Sequence, residues 1–244
     1  MVSFWRAIVA SFDNSILGFL NSFSQRSWLF DHVVSTFEGE ALLKGGVLTA
    51  FLWWAWFWEN GRKDRDRAIL IAGSMSAIVS LAICRIAAFV LPYRERPAFA
   101  ASLHFQRPLG IDPNTLISWS SFPSDHAGIF ISLATTIFFV SRRAGVLAIV
   151  YTMAAICFPR VYTGDHYPSD IAAGLAIGFA VTRLMLRPSL RDVLAKWPLR
   201  LLEAKPAFFY VGAYLASLLL TTNFDVVRRA GAVLFRGLRT RGGM

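Results

Sequence analysis

Six stretches of this chain carry no charged side chain: residues 45–58, 68–84, 127–141, 144–159, 171–182 and 206–223. Repeated apolar runs of this kind, in a chain that is 55% hydrophobic with a mean hydropathy of +0.50, suit a lipid environment better than a soluble core, which would need more polar cover. Several runs fall short of the ~20 residues that a bilayer asks of a helix. Flanking residues such as Lys44, Arg85 and Arg183 extend them by snorkelling. The expectation is an all-α fold, a polytopic transmembrane helix bundle of five spans, or six if 206–223 crosses rather than re-enters. Three regions follow: an amphipathic N-terminal segment (1–41), a transmembrane core (42–187), and a basic linker with the sixth apolar run and a basic tail (188–244). Residues 4–23 mix Arg6 and Asp13 into apolar sequence, which predicts an amphipathic surface helix rather than a span or a cleaved leader. The tryptophans at 53, 54, 56 and 58 predict an interfacial aromatic belt, with core packing as the alternative.

Net charge is +10. The arginines fall between apolar runs and no nucleic-acid motif accompanies them, so anionic lipid headgroups, not nucleic acid, are the expected partner. Arg62, Lys63, Arg65 and Arg67 follow the first run, Arg142 and Arg143 the third, and Arg183, Arg187 and Arg191 the fifth. The positive-inside rule puts these loops in the cytoplasm and the loops 92–121 and 160–169 on the opposite side. A basic tail with Arg228, Arg229, Arg236, Arg239 and Arg241 argues against a crossing by 206–223. Cys84 and Cys157 lie in apolar runs without ligand or disulfide spacing and read as packing residues.

Both outer loops hold chemistry. His166 and Asp170 are four apart, so on a helix starting near Pro168 the carboxylate approaches the imidazole from the next turn. Asp170 accepting from one ring nitrogen leaves the other with a lone pair for attack on phosphorus. Arg160 and Arg96 offer planar guanidiniums to a phosphate, and Ser124 adds a hydroxyl at a helix start rich in backbone N–H donors. His126 is placed to give a proton to the leaving group and then to activate water. His32 and His104 read as structural. None of the histidines has a partner histidine at helical ligand spacing, so neither metal nor other cofactor is expected.

Arg160-x5-His166-x3-Asp170, Pro123-Ser124-Asp125-His126 and Arg96-Pro97 resemble the three motifs of the type 2 phosphatidic acid phosphatase superfamily, over about 42–187. The resemblance implies a membrane helix bundle with its site on the outer face. It also implies metal-independent hydrolysis through a phosphohistidine, with His166 as nucleophile, Asp170 its partner, His126 the acid/base, and Arg96, Ser124 and Arg160 as phosphate ligands. Three positions depart from the pattern. Phe89 stands where the family has lysine, so that charge is expected from Arg94, or one turn deeper from Arg85; Asp125 replaces a glycine and Pro159 a serine. Within the superfamily the runs around His126 and His166 are most similar to bacterial undecaprenyl-diphosphate phosphatases. Phosphatidate, phosphatidylglycerol phosphate or a lipid A phosphate fits the same chemistry, and an anion-binding transporter is the alternative from another class. Gly174-x3-Gly178 predicts a close helix contact, within the chain by preference, otherwise between chains.

Overall fold

A computed structural model describes residues 2–59, 61–110 and 119–223, and all its regular structure is helical. Helix α1 (Val2–Asn21) and α2 (Trp28–Gly39) precede a π-helical turn that leads into α3 (Val47–Phe57). Then come α4 (Lys63–Val90), α5 (Asp125–Val140) and α6 (Arg142–Tyr151), which runs through a second π-helical turn into α7 (Phe158–Tyr162). Helices α8 (Pro168–Met185), α9 (Pro188–Ala204) and α10 (Pro206–Thr221) complete the described chain. Two helical stretches, Lys63–Val90 and Arg142–Tyr162, are long and apolar enough to cross a membrane. The pair α8–α9 passes the same test together but is bent by 80°, and Leu42–Phe57, Asp125–Val140 and Pro206–Thr221 are shorter apolar helices. This is an all-α helical membrane bundle.

Helix α5 is the axis of the bundle, buried along most of its length and packed by α3, α4, α6 and α8. In an apolar medium helices gain little from hydrophobicity between themselves, so close packing and hydroxyl hydrogen bonds hold them together. Both devices occur here. Ser76 and Thr182 join α4 to α8 at 2.9 Å, Ser80 and Ser132 join α4 to α5 at 3.0 Å, and the Ser132 hydroxyl also donates to the Gly178 carbonyl. Gly174 and Gly178 let α8 lie directly on α5: a Cβ at either would come within 2.2 Å of the carbonyl oxygen of Ser124 or Gly128. The small-residue face therefore serves a contact within the chain, and it brings the N-termini of α5 and α8 together.

Helix α10 runs antiparallel to α3 over its whole length. Tyr210 meets Trp56, Ser217 accepts from the Trp53 indole at 3.0 Å, and Thr221 reaches Thr49 at 3.1 Å. The run 206–223 thus holds one continuous helix beside α3, and it delivers Asn223 to the end of the bundle where α5 begins. The basic tail expected to hold it back lies outside the described residues. The tryptophan cluster divides: Trp53 and Trp56 pack on α10, while Trp54 and Trp58 stack on each other. Residues 188–204, read as linker, form the helix α9, which turns away from α8 across α4 and α10.

Helix α1 buries a narrow face. That face carries Asp13 and Leu17, one turn apart, and packs on α7 and α8, while Ile8, Val9, Phe12 and Phe19 face outward together with Ser11, Asn14 and Ser15. A polar side chain turned inward and apolar ones outward is the arrangement that lipid surroundings favour.

Candidate active site

The chain between α7 and α8 folds back on itself. The backbone N–H groups of Asp165 and His166 both donate to the Arg160 carbonyl, at 3.0 and 3.1 Å, closing a turn at Gly164, whose φ of +77° suits glycine. Arg160 and His166 therefore share one turn. Pro168 starts α8, and Asp170 caps it by accepting the Tyr167 N–H at 2.8 Å. The His166 Nδ1 lies 2.7 Å from the Ser121 carbonyl and 3.8 Å from the Asp170 carboxylate. Both neighbours are acceptors, so Nδ1 carries the proton and Nε2 keeps its lone pair. Sequence spacing assigned the tautomer to Asp170. The Ser121 carbonyl makes the shorter bond, and Asp170 stands behind it, fully buried. His166 is only 2% exposed, and that burial pulls its pKa below the ordinary 6.5. Arg96 and Arg160 act in the same direction and Asp170 against it, which leaves a neutral imidazole at pH 7.

Two buried guanidiniums flank this turn. Arg96 donates to the carbonyls of Asp165 at 2.7 Å, Trp119 at 3.2 Å and Ser120 at 3.4 Å. Neutral acceptors fix its geometry without cancelling its charge, and burial foremost lowers its pKa. Arg160, 4% exposed, makes long contacts to Glu38 of α2 at 3.2 Å and Asp165 at 3.4 Å. Its Nε, the Ser121 hydroxyl and the Thr163 hydroxyl are buried without a hydrogen-bond partner among the described residues. Buried donors rarely stay unpaired, and three in the segments bonded to His166 or sharing its turn suit an anion with several oxygens. Ser124 caps α5 and donates its own N–H to the Asp170 carbonyl at 3.1 Å, tying the two helix N-termini together.

His126, in the first turn of α5, has its own carboxylate. Asp125 approaches Nδ1 at 2.8 Å and its other oxygen faces Arg85 at 3.4 Å. The Asn223 amide nitrogen lies 3.0 Å from Nδ1 and 3.1 Å from Nε2, and Arg85 holds the Asn223 carbonyl at 3.0 Å. The acid that replaces the family glycine is thus an orienting partner of His126, and Arg85 balances it. The field of Arg160 reaches both imidazoles.

Arg94 is elsewhere. Its guanidinium donates to Asp170 at 2.5 Å, to the Ser169 hydroxyl at 2.8 Å and to Asp13 at 2.6 Å, and it stacks on Tyr167 with its centre 4.0 Å from the ring. The structure directs it to two buried carboxylates, because an unpaired buried carboxylate costs far more than an unpaired exposed arginine. Phe89 is 91% exposed and points away from the site. His32 stacks on Trp28, apart from the site. Among the described residues no cluster of three or more His, Cys, Asp or Glu side chains is arranged to hold a metal. Asp13, Glu38, Asn223 and the Ser121 carbonyl were not found from sequence; of these only Asp13, a charge inside an apolar helix, left a signal.

Residues 70–191, half of the chain, match the PAP2 superfamily. Over 130 residues the chain is 26% identical to undecaprenyl-diphosphatase BcrC of Bacillus subtilis (strain 168), covering 53% of this chain and 62% of that protein. Over 59 residues it is 41% identical to the bacitracin transport permease protein BcrC of Bacillus licheniformis, covering 24% and 29%. The matched regions thus span less than two thirds of either relative. No solved structure matches the chain.

Proposed function

The chain belongs to the PAP2 superfamily, and from that premise we propose that it hydrolyses the phosphate of a membrane lipid, best undecaprenyl diphosphate, through a phosphohistidine and without a metal. In this reading Nε2 of His166 attacks the terminal phosphorus, and a P–N bond forms as the P–O bond to the lipid phosphate breaks. His126 gives the departing oxygen its proton. Water then attacks the phosphohistidine, His126 takes its proton, the P–N bond breaks and inorganic phosphate leaves. Arg96 and Arg160, with the Ser124 hydroxyl and the N-terminus of α5, bind the phosphoryl oxygens and stabilise the charge they gain.

The observation that carries the reading is a buried neutral His166 whose Nδ1–H is held by a carbonyl, beside two buried guanidiniums and unpaired hydroxyls. The diphosphate preference draws on the B. subtilis relative; phosphatidate, phosphatidylglycerol phosphate and lipid A phosphate are the competing substrates. An extracytoplasmic site in a multi-pass inner-membrane protein is supported by charge. The basic clusters at the start of α4, the start of α6 and the α8–α9 bend lie at the end of the bundle opposite His166. The anion-binding transporter alternative is supported by the name of the B. licheniformis relative.

Phosphate release from undecaprenyl diphosphate and from phosphatidate, by purified protein in detergent with a chelator, tests the proposal. His166→Ala abolishes release, and His126→Ala lowers it by about a hundredfold or more. Undiminished turnover by His166→Ala, or activity only after adding a divalent metal, overturns the mechanism.

A further inference from the structure

The N-terminal helix lies outside the segment that matches the family, which starts at residue 70. Asp13 on its inward face is 0% exposed and accepts three hydrogen bonds. Oδ2 accepts from Arg94 at 2.6 Å and from the Ser169 hydroxyl at 2.6 Å, and Oδ1 accepts from the Ser169 backbone at 2.9 Å. Both partners adjoin Asp170: Ser169 precedes it in the chain, and Arg94 donates to its Oδ1 at 2.5 Å. The other Asp170 oxygen takes the Tyr167 N–H and faces His166. Asp13, Arg94 and Asp170 thus form a buried chain of alternating charge whose last member addresses the nucleophile.

We infer that Asp13 is a positioning residue for phosphoryl transfer, by which α1 holds Arg94 and Ser169 in place and so fixes the Asp170 carboxylate against His166. The inference rests on the phosphohistidine reading above. A salt bridge that merely docked α1 would need one carboxylate and one cation. Here a single guanidinium is shared by two carboxylates, and the sharing has a chemical consequence. When Nε2 bonds to phosphorus the imidazole ring becomes cationic, and Asp170, 3.8 Å from Nδ1, is the carboxylate that stabilises it. An Arg94 not also engaged by Asp13 would place its whole charge on Asp170 and weaken that stabilisation. Its side chain, 30% exposed, would also be free to leave the Tyr167 ring. Either change acts on the transition state and leaves Arg96, Arg160 and Ser124 untouched, so it lowers kcat with little change in KM.

The test compares Asp13→Asn, Arg94→Gln and the double variant with the unmodified full chain in detergent, on undecaprenyl diphosphate, with Leu17→Ala as a variant that loosens the same face of α1 without touching a charge. Asp13→Asn is expected to lower kcat by roughly tenfold to a hundredfold at near-constant KM, as small misplacements near a reacting centre do. Arg94→Gln strands two buried carboxylates and is the most damaging single change. Adding Asp13→Asn to it restores part of the lost turnover and thermal stability, because one stranded charge is removed. Leu17→Ala lowers the melting temperature more than it lowers kcat. A wild-type kcat in Asp13→Asn, losses that simply multiply in the double variant, or a Leu17→Ala kcat as low as that of Asp13→Asn each overturn the inference. If His166→Ala retains activity, the nucleophile assignment fails instead, and that outcome is read independently of the Asp13 series.

Discussion

Replacing Gly174 by alanine tests whether the site is assembled by helix packing. A Cβ at position 174 would lie 2.2 Å from the Ser124 carbonyl oxygen and 3.0 Å from the Ala127 methyl. Ordinary contact starts at 3.4 Å, so α5 and α8 must separate by about 1.2 Å at this point, and the obstacle is backbone that no rotamer change removes. The strain costs about 1–3 kcal/mol in stability. The displacement falls at Ser124 and Ala127, on either side of His126 in sequence, and one turn from Asp170 on the other helix, and a shift of about 1 Å in a catalytic group costs roughly a hundredfold in rate. Gly178→Ala meets the Gly128 carbonyl at the same 2.2 Å but one turn farther from the site, and Gly212→Ala on α10 meets nothing within 4 Å. Phosphate release and thermal unfolding in detergent should therefore separate the three. Gly174→Ala loses both stability and turnover, Gly178→Ala loses similar stability with a smaller loss of rate, and Gly212→Ala loses neither. Equal rates in the first two variants would refute the link from helix spacing to catalysis, and full activity in Gly174→Ala would refute the packing itself.

Two other outcomes follow from the site. Burial, with Arg96 and Arg160, lowers the pKa of His166, and attack requires the unprotonated ring; the acid limb of kcat/KM against pH should therefore lie below 6.5, and a limb above that value contradicts the burial argument. Asp125→Gly restores the residue of the family pattern yet removes the partner of His126 Nδ1 and leaves Arg85 without its carboxylate. It should lower kcat by about tenfold or more, measured as phosphate release, and a gain in activity would show that Asp125 does not orient His126.

What could be read from sequence was what local geometry fixes. His166 and Asp170 were legible because their spacing becomes one helical turn once Pro168 starts α8. The apolar runs were legible because charge marks their ends. Identity at one position could not foretell partners far along the chain: Arg94 is the first charged residue after the missing lysine, but its carboxylates, Asp13 and Asp170, lie 81 and 76 residues away. The Ser121 carbonyl, a backbone group, has no side-chain signature at all. Helix α9 was hidden by Pro198 and by its mixture of charge and leucine.

The misses around the site share a cause. Each concerns a group outside the motifs that holds a motif residue in place: Ser121 fixes the tautomer of His166, Asp13 and Arg94 brace Asp170, and Arg85 with Asn223 surrounds the Asp125–His126 pair. The motif residues alone would be a set of buried charges that repel or lack partners, at a cost of several kcal/mol each. Short spacings can encode the groups proposed to react, since these sit on two helix starts and one turn. Who neutralises them depends on which helices α5 and α8 leave room for, and that is settled by the glycine contact between them and by α1 and α10 closing on either side.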